Sequence, residues 1–289
     1  MNKKILLAVS GGPDSMYLLN KYRKKNIVVA TVNYNQRFDS HIDYEIVKNF
    51  CVTYKIDFEG LNLKKDDYKK GNFQNWARER RYKFFKEVYL KYNCDKLFIA
   101  HNIDDFLETA IFQKQSKRFS KYYGIKKHNI LFDMNIERPL LFRFFKKTII
   151  KKNLSKGIPF HKDYTNEEPK YSRNKIRIHN NEKPKIWKIY MMIYFFVLNF
   201  ILKLRFHKVD KNYKKWKENN FSQDTFKFLT KKEELVYELI NNNFKNIKLS
   251  KDKIKNIIKF IESPKRSNRY KLSENCYLTK KRGHLLKDN

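Results

Sequence analysis

Short apolar runs alternate with longer amphipathic stretches through the first half of the chain. The runs Lys4–Val9, Ile27–Val32, Ile56–Leu61 and Lys96–Ala100 have the length and branched content of buried strands. Between them, Ser15–Lys25, Ile42–Tyr54 and Phe73–Tyr92 repeat apolar positions at helical spacing. A strand buried on both faces needs helices on both sides, so the pattern predicts an α/β fold with a parallel twisted sheet flanked by helices, Rossmann-like in plan. Right-handed crossovers would line up the loops after each strand along one edge, where functional residues are expected. After about residue 183 helical runs follow one another: Lys183–Arg205, Thr230–Asn243 and Lys251–Ile261. Asn268–Leu286 then reads as short strands turning about Ser273, Glu274 and Asn275. Two domains are therefore expected, 1–182 and a smaller, mostly helical 183–289.

Charge changes the picture first. The 289 residues hold 65 Lys plus Arg against 30 Asp plus Glu, a formal net charge of +35. With 41% hydrophobic and 16% aromatic residues the chain has material for a core, which excludes a disordered polybasic tail. A coding sequence rich in A and T would enrich Lys, Asn, Ile, Phe and Tyr by itself and account for part of the charge. The remainder calls for a polyanionic partner, nucleic acid or an anionic membrane surface. Cys51, Cys94 and Cys276 lie far apart and form neither a disulfide framework nor a zinc motif, so a reducing, cytoplasmic setting is expected. The apolar run Ile5–Val9 is too short for a signal sequence. The longest uncharged stretch, Ile189–Leu202, falls short of the roughly 20 residues of a spanning helix. A buried or partner-facing helix and no stable membrane association are expected there.

The first chemical signal follows the first strand. Ser10-Gly11-Gly12-Pro13-Asp14-Ser15 opens a helix near Met16. Adjacent glycines let backbone approach a ligand closely, and a helix start offers free N–H groups and a positive dipole end. Ser10 and Ser15 would add hydroxyl donors. The turn suits a phosphate, yet the chain contains no Gly-Lys dipeptide and so no Walker A loop. Ser-Gly-Gly-x-Asp-Ser after an N-terminal strand resembles the PP-loop of the N-type ATP pyrophosphatases. The resemblance implies that Ser10, Gly11, Gly12, Pro13, Asp14 and Ser15 bind the phosphates of ATP, with Asp14 near Mg²⁺.

A second constellation follows the fourth strand: His101-Asn102-Ile103-Asp104-Asp105-Phe106-Leu107-Glu108-Thr109. A helix from Ile103 would bring Asp105 and Glu108 to one face, one turn apart. Two carboxylates beside a phosphate site suit Mg²⁺ or a cationic substrate, and a capping box would use the same residues. His-x-x-x-Asp-x-x-Glu-Thr resembles the His-His-x-x-Asp-Gln-x-Glu-Thr motif of the tRNA(Ile)-lysidine synthetases. Val32-Asn33 with Arg37, Ala77-Arg78 with Arg81-Tyr82, Arg138-Pro139-Leu140-Leu141, and Asp163…Asn166 with Arg173-Asn174-x-Ile176-Arg177 resemble further family segments in order. The likeness spans roughly 4–178. Asn102, Tyr34 and Phe106 stand where the family has His, His and Gln, and Gln113–Tyr123 lacks the usual glycines.

The resemblance implies an ATP-dependent ligase that adenylates C2 of the wobble cytidine in a CAU-anticodon tRNA(Ile), then joins free L-lysine there. It implies roles in catalysis for Asp14, His101, Asp105, Glu108, Arg78 and Arg173, with ATP and Mg²⁺ as cofactors and a homodimer as one assembly. Aromatic-flanked basic helices, Tyr213–Lys217 and Ile186–Arg205, would contact tRNA by charge and stacking or serve as core. The alternatives are a tRNA-thiolating enzyme of the same superfamily, for which no cysteine pair is present, and a non-catalytic ATP-gated RNA-binding protein.

Overall fold

The computed structural model describes residues 3–116, 119–161, 172–244, 247–274 and 276–287, with backbone alone at Lys65, Ser172, Arg173, Asn174 and Lys287. The chain forms two compact units, Met1–Thr109 with Gly124–Lys188, and Ala110–Tyr123 with Ile189–Asn289.

The first unit is built on a six-stranded sheet in the order β3-β2-β1-β4-β6-β5. Strands β1 (Lys4–Ala8), β2 (Ile27–Asn33), β3 (Asp57–Asn62), β4 (Cys94–Ile99) and β6 (Met134–Glu137) run parallel, and β5 (His128–Leu131) pairs antiparallel with β6. Alternation along β1 explains the two-sided burial. Leu7 packs with Met16 and Leu19 of α1 (Pro13–Tyr22), Val47 of α2 (Ser40–Thr53) and Ile149 of α5 (Lys146–Ser155). Leu6, its neighbour, packs on the other face with Tyr82, Phe85 and Val88 of α3 (Phe73–Lys91). The order reverses at β1, since β2 and β4 flank it, and the loops after β1 and β4 therefore open a crevice at the strands' carboxyl ends.

Four elements of the first unit escaped the apolar pattern. The β5–β6 hairpin has four-residue strands of alternating polarity, and its turn, Phe132-Asp133, has both φ positive without the usual Asn-Gly. Helices α5 and α6 (Ser172–Glu182) are too basic and polar to announce themselves by hydrophobic content.

The second unit carries α7 (Lys185–Glu218), α8 (Gln223–Lys227), α9 (Lys232–Asn243) and α10 (Lys251–Glu262), then an antiparallel sheet of β7 (Asn268–Ser273), β8 (Cys276–Lys281) and β9 (His284–Lys287). Helix α7 runs well past Arg205 because Phe206, Val209 and Trp216 keep the buried period after the apolar run ends. Trp216 is fully buried against Phe221 and Phe226, so it belongs to the core and offers no stacking face. Ala110–Tyr123 joins this unit because Asn199 bonds both the N–H and the C=O of Tyr123, at 2.7 and 2.9 Å, while Phe119 lies against Phe206 and Tyr237.

Candidate active site

Beyond the carboxyl ends of β1, β2 and β4, within the first unit, lies a cavity of about 1140 Å³. Small-ligand pockets commonly occupy about 300–1,000 Å³, so there is room for a nucleotide and a second reactant. Ser10, Gly12, Pro13, Asp14 and Ser15 form one wall. Pro13 starts α1 with Gly12 as N-cap and no side chain capping it, which leaves the first N–H groups to a ligand. Gly11 supplies the turn itself, with φ +79°. A Cβ there would stand 2.7 Å from the Asp43 carbonyl oxygen, so the loop is pressed onto α2 as only glycine permits. The Gly11 carbonyl accepts from the His161 N–H at 3.1 Å, and the Pro13 carbonyl from Asn153 Nδ2 at 2.8 Å.

The serines brace this loop. Ser15 Oγ donates to the Gly12 carbonyl at 2.9 Å and accepts from the Ser10 N–H at 3.2 Å, so its proton is engaged inside the turn. Ser10 Oγ stands 3.4 Å from Ser15 Oγ.

Asp14, on the first turn of α1, meets the segment after β4. Asn102, fully buried, donates from Nδ2 to Asp14 Oδ1 at 3.0 Å. Its Oδ1 accepts from the N–H groups of Asp104 and Asp105, which fixes the amide's orientation. Asp105 Oδ2 in turn accepts from the Asn102 N–H at 2.9 Å. Burial, with the neighbouring Asp105 charge second, raises the Asp14 carboxyl to about 7 against the pull of Lys146 and Asn102. Burial also pushes Asp105 upward. Two carboxylates so placed attract a cation. Asp104 caps α5 by accepting from the Lys146 N–H at 2.7 Å and pairs with Lys188 Nζ at 2.5 Å.

His101 is held from behind. Arg138 Nε donates to its Nδ1 at 3.0 Å, while Arg138 Nη1 donates to the Lys126 carbonyl and to Asn129 Oδ1 at 2.7 and 2.6 Å. A guanidinium has no lone pair to offer, so Nδ1 is the acceptor and the imidazole proton sits on Nε2.

Sequence spacing put Asp105 and Glu108 on one helical face, within α4 (Ile103–Gln115), but their surroundings separate them. Asp105 lines the cavity, whereas Glu108 is buried and accepts from Arg177 Nε at 2.9 Å. Arg78 and Arg81 both reach the cavity and lie over the Tyr82 ring, at 4.9 and 5.6 Å from its centroid. The Arg173 side chain, and Asp163 and Asn166, lie outside the described residues. Asn102, Arg138 and Lys146 are contributors that spacing did not reveal. Asn102 and Arg138 sat inside recognised segments, but their partners are distant in sequence.

A family model described as a PP-loop domain matches residues 1–182. The tRNA(Ile)-lysidine synthase of Mycoplasmopsis pulmonis is 45% identical over 95% of this chain and 96% of its own length. This chain belongs to the tRNA(Ile)-lysidine synthase family. The lysidine synthase of Malacoplasma penetrans is 35% identical with 99% of both chains covered. A solved U34-tRNA thiolase, NcsA from Methanococcus maripaludis, shares the fold at 18% identity and TM-score 0.54, covering 68% of this chain and 72% of that one.

The lysidine synthase family assignment makes this an ATP-using ligase, and its cysteines agree with a reaction that does not pass through sulfur. Burial raises Cys51 to about 12 and Cys94 to about 11, and none of the three thiols lines the cavity. Among the described residues, no group of three or more His, Cys, Asp or Glu is placed to hold a metal.

Proposed function

We propose that this protein joins free L-lysine to C2 of the wobble cytidine in a CAU-anticodon tRNA(Ile), changing its decoding from AUG to AUA. The cytidine O2 attacks the α-phosphorus of ATP and pyrophosphate leaves. The neutral ε-amine of lysine then adds at C2, loses a proton, and the C2–O bond breaks to release AMP. The reaction belongs in the cytoplasm, where its three substrates meet. What carries this reading is the convergence, in one cavity, of an uncapped helix N-terminus for phosphate and the Asp14–Asn102–Asp105 acidic array for cations.

The chain's own groups divide the work. Gly12, Pro13 and the first turn of α1 receive the departing pyrophosphate. Mg²⁺ favours one or two carboxylates completed by substrate phosphates and water, which suits Asp14 without a larger protein cage; bound there it would neutralise phosphate charge. Asp105 offers negative charge to a lysine ammonium. His101 donates from Nε2 to a developing oxyanion, and Arg78 with Arg173 supplies fixed positive charge toward phosphate. Glu108, whose charge Arg177 already answers, acts by holding Arg177 in the cavity wall.

The test supplies purified protein with ATP, labelled lysine and a CAU-anticodon tRNA(Ile). Pyrophosphate release should require the tRNA, and label should enter the wobble nucleoside. ATP turnover with no lysine-containing nucleoside would reject the reading.

A further inference from the structure

A second cluster of charged groups meets the phosphate turn at Gly11, and the reaction above uses none of them. Arg37, in the loop after β2, donates from Nη2 to Asp43 Oδ2 at 2.5 Å, and its Nε lies 3.5 Å from Asp39 Oδ1. The His161 ring meets the same two carboxylates, with Nδ1 3.4 Å from Asp43 Oδ1 and Nε2 3.6 Å from Asp39 Oδ2. Asp39 is the N-cap residue of α2, Asp43 lies in its first turn, and His161 follows α5. The loop that carries Arg37 starts from a fixed base. Asn35, at φ +51°, donates from its N–H to Asn33 Oδ1 at 3.0 Å and from Nδ2 to the Leu63 carbonyl at 2.8 Å.

Asp43 and His161 also touch the turn through their backbone. A Cβ on Gly11 would stand 2.7 Å from the Asp43 carbonyl oxygen and 2.8 Å from its Cα, and the Gly11 carbonyl accepts from the His161 N–H at 3.1 Å. The two residues that grip the Gly11 backbone are thus the two joined through ring and carboxylate. The side chains of Asp43, His161 and Arg37 keep only 17–24% exposure. Burial pushes the Asp43 carboxyl upward, with Arg37 and then His161 pulling it back. Charges this sheltered are costlier glue than apolar packing, and what they supply is one fixed geometry.

We propose that Arg37, Asp39, Asp43 and His161 are positioning residues for ATP, holding the Gly11 turn in the shape that receives the phosphates. The proposal rests on ATP binding alone and not on the transfer of lysine. A phosphate cradle aims several N–H groups at once, so a shift of the turn weakens all of them together, and about 1 Å of misplacement can cost about a hundredfold. Arg37, Asp43 and His161 also line the cavity, which leaves direct contact with ATP and a field through space as rival accounts. Sign separates them. Losing the Arg37 charge makes the phosphate site more negative and losing the Asp43 charge makes it more positive, so a field would move ATP affinity in opposite directions. A positioning cluster weakens ATP binding in both cases.

The test titrates α,β-methylene ATP with Mg²⁺ onto the full chain in the absence of tRNA. Arg37→Gln and Asp43→Asn should each weaken binding about tenfold, the worth of one charge-assisted hydrogen bond, and the double variant should be no weaker than either single. In the pyrophosphate assay the KM for ATP should rise to match, while the KM for tRNA stays within about twofold. If either variant melts early, His161→Gln decides: it keeps the backbone N–H to Gly11 and should still weaken the analogue at an unchanged melting temperature. Tighter binding in Asp43→Asn overturns the proposal in favour of a field, and a loss confined to Arg37→Gln overturns it in favour of direct contact. Unchanged binding in all three variants also overturns it, as does a loss that tracks the melting temperature and raises the KM for tRNA equally. A wild type that binds the analogue and never incorporates lysine would reject the proposed reaction and leave these titrations readable.

Discussion

Asp14 joins the phosphate loop to the acidic array, and its environment makes two separable demands. Replacing it with Asn should cut pyrophosphate release by at least about a hundredfold, since several kcal/mol of charge stabilisation at phosphate are lost, while tRNA binding stays near wild type. Unchanged pyrophosphate release would remove the loop from the reaction. The same carboxyl leaves a mark on stability. Its value rises from 3.8 to about 7 on folding, so the folded chain keeps a proton that the unfolded chain has released. Its contribution is complete below about pH 4 and is lost as pH rises through 7. In ligand-free protein the melting temperature should therefore decline from pH 5 to pH 8 more steeply in wild type than in Asp14→Asn. His101 gives a second, geometric test. With its proton on Nε2, the side chain is mimicked by the amide nitrogen of Gln and not by that of the shorter Asn. His101→Gln should keep adenylation within about tenfold, whereas His101→Asn should lose about ten- to a hundredfold, the worth of a hydrogen bond to a charged group. Equal losses would mean that Nε2 gives nothing to the reaction.

Loops and helix ends show why composition alone misjudges these groups. The serines looked like ligand donors, yet Ser15 spends its proton on the Gly12 carbonyl and stiffens the turn. Gly11 is fixed by two independent constraints, its positive φ and the Asp43 backbone behind it. Gly11→Ala should raise the ATP requirement and lower the melting temperature, the left-handed conformation alone costing about 1–2 kcal/mol. A melting curve and an ATP titration indistinguishable from wild type would show that the loop has slack. Helix α4 teaches the complementary lesson. Periodicity put Asp105 and Glu108 on one face, and α6 brings Arg177 to both: it donates to Glu108 and its charge also acts on Asp105. Glu108→Gln should destabilise by about 1.5–3 kcal/mol and depress both half-reactions together. A selective rise in the lysine requirement at normal stability would return Glu108 to the lysine site.

The whole chain remains strongly basic, and its long helices keep exposed lysines such as Lys203, Lys208, Lys211 and Lys214 in rows. If the excess serves tRNA, log affinity should fall with log salt at about 0.7–0.9 per neutralised phosphate, giving a slope of several units. A slope near zero in filter binding between about 50 and 200 mM salt would mark the charge as a product of base composition.

The strand–helix alternation, the loop after β1 and the acidic segment after β4 were all legible along the chain, because each is local. Burial on both faces demands continuous apolar strands, and a phosphate turn demands adjacent glycines. The β5–β6 hairpin was not legible, since its turn needs two positive φ values that its side chains do not advertise. Nor was the pairing of Asn102 with Asp14, 88 residues apart, or of Arg138 with His101, 37 apart. Sequence thus determined which groups would gather at the carboxyl ends of the strands. Only the tertiary structure decided which of them face the cavity with charge to spare and which are already answered. The reason is that a side chain's protonation and orientation depend on neighbours that the fold, and not the chain order, brings within three ångströms.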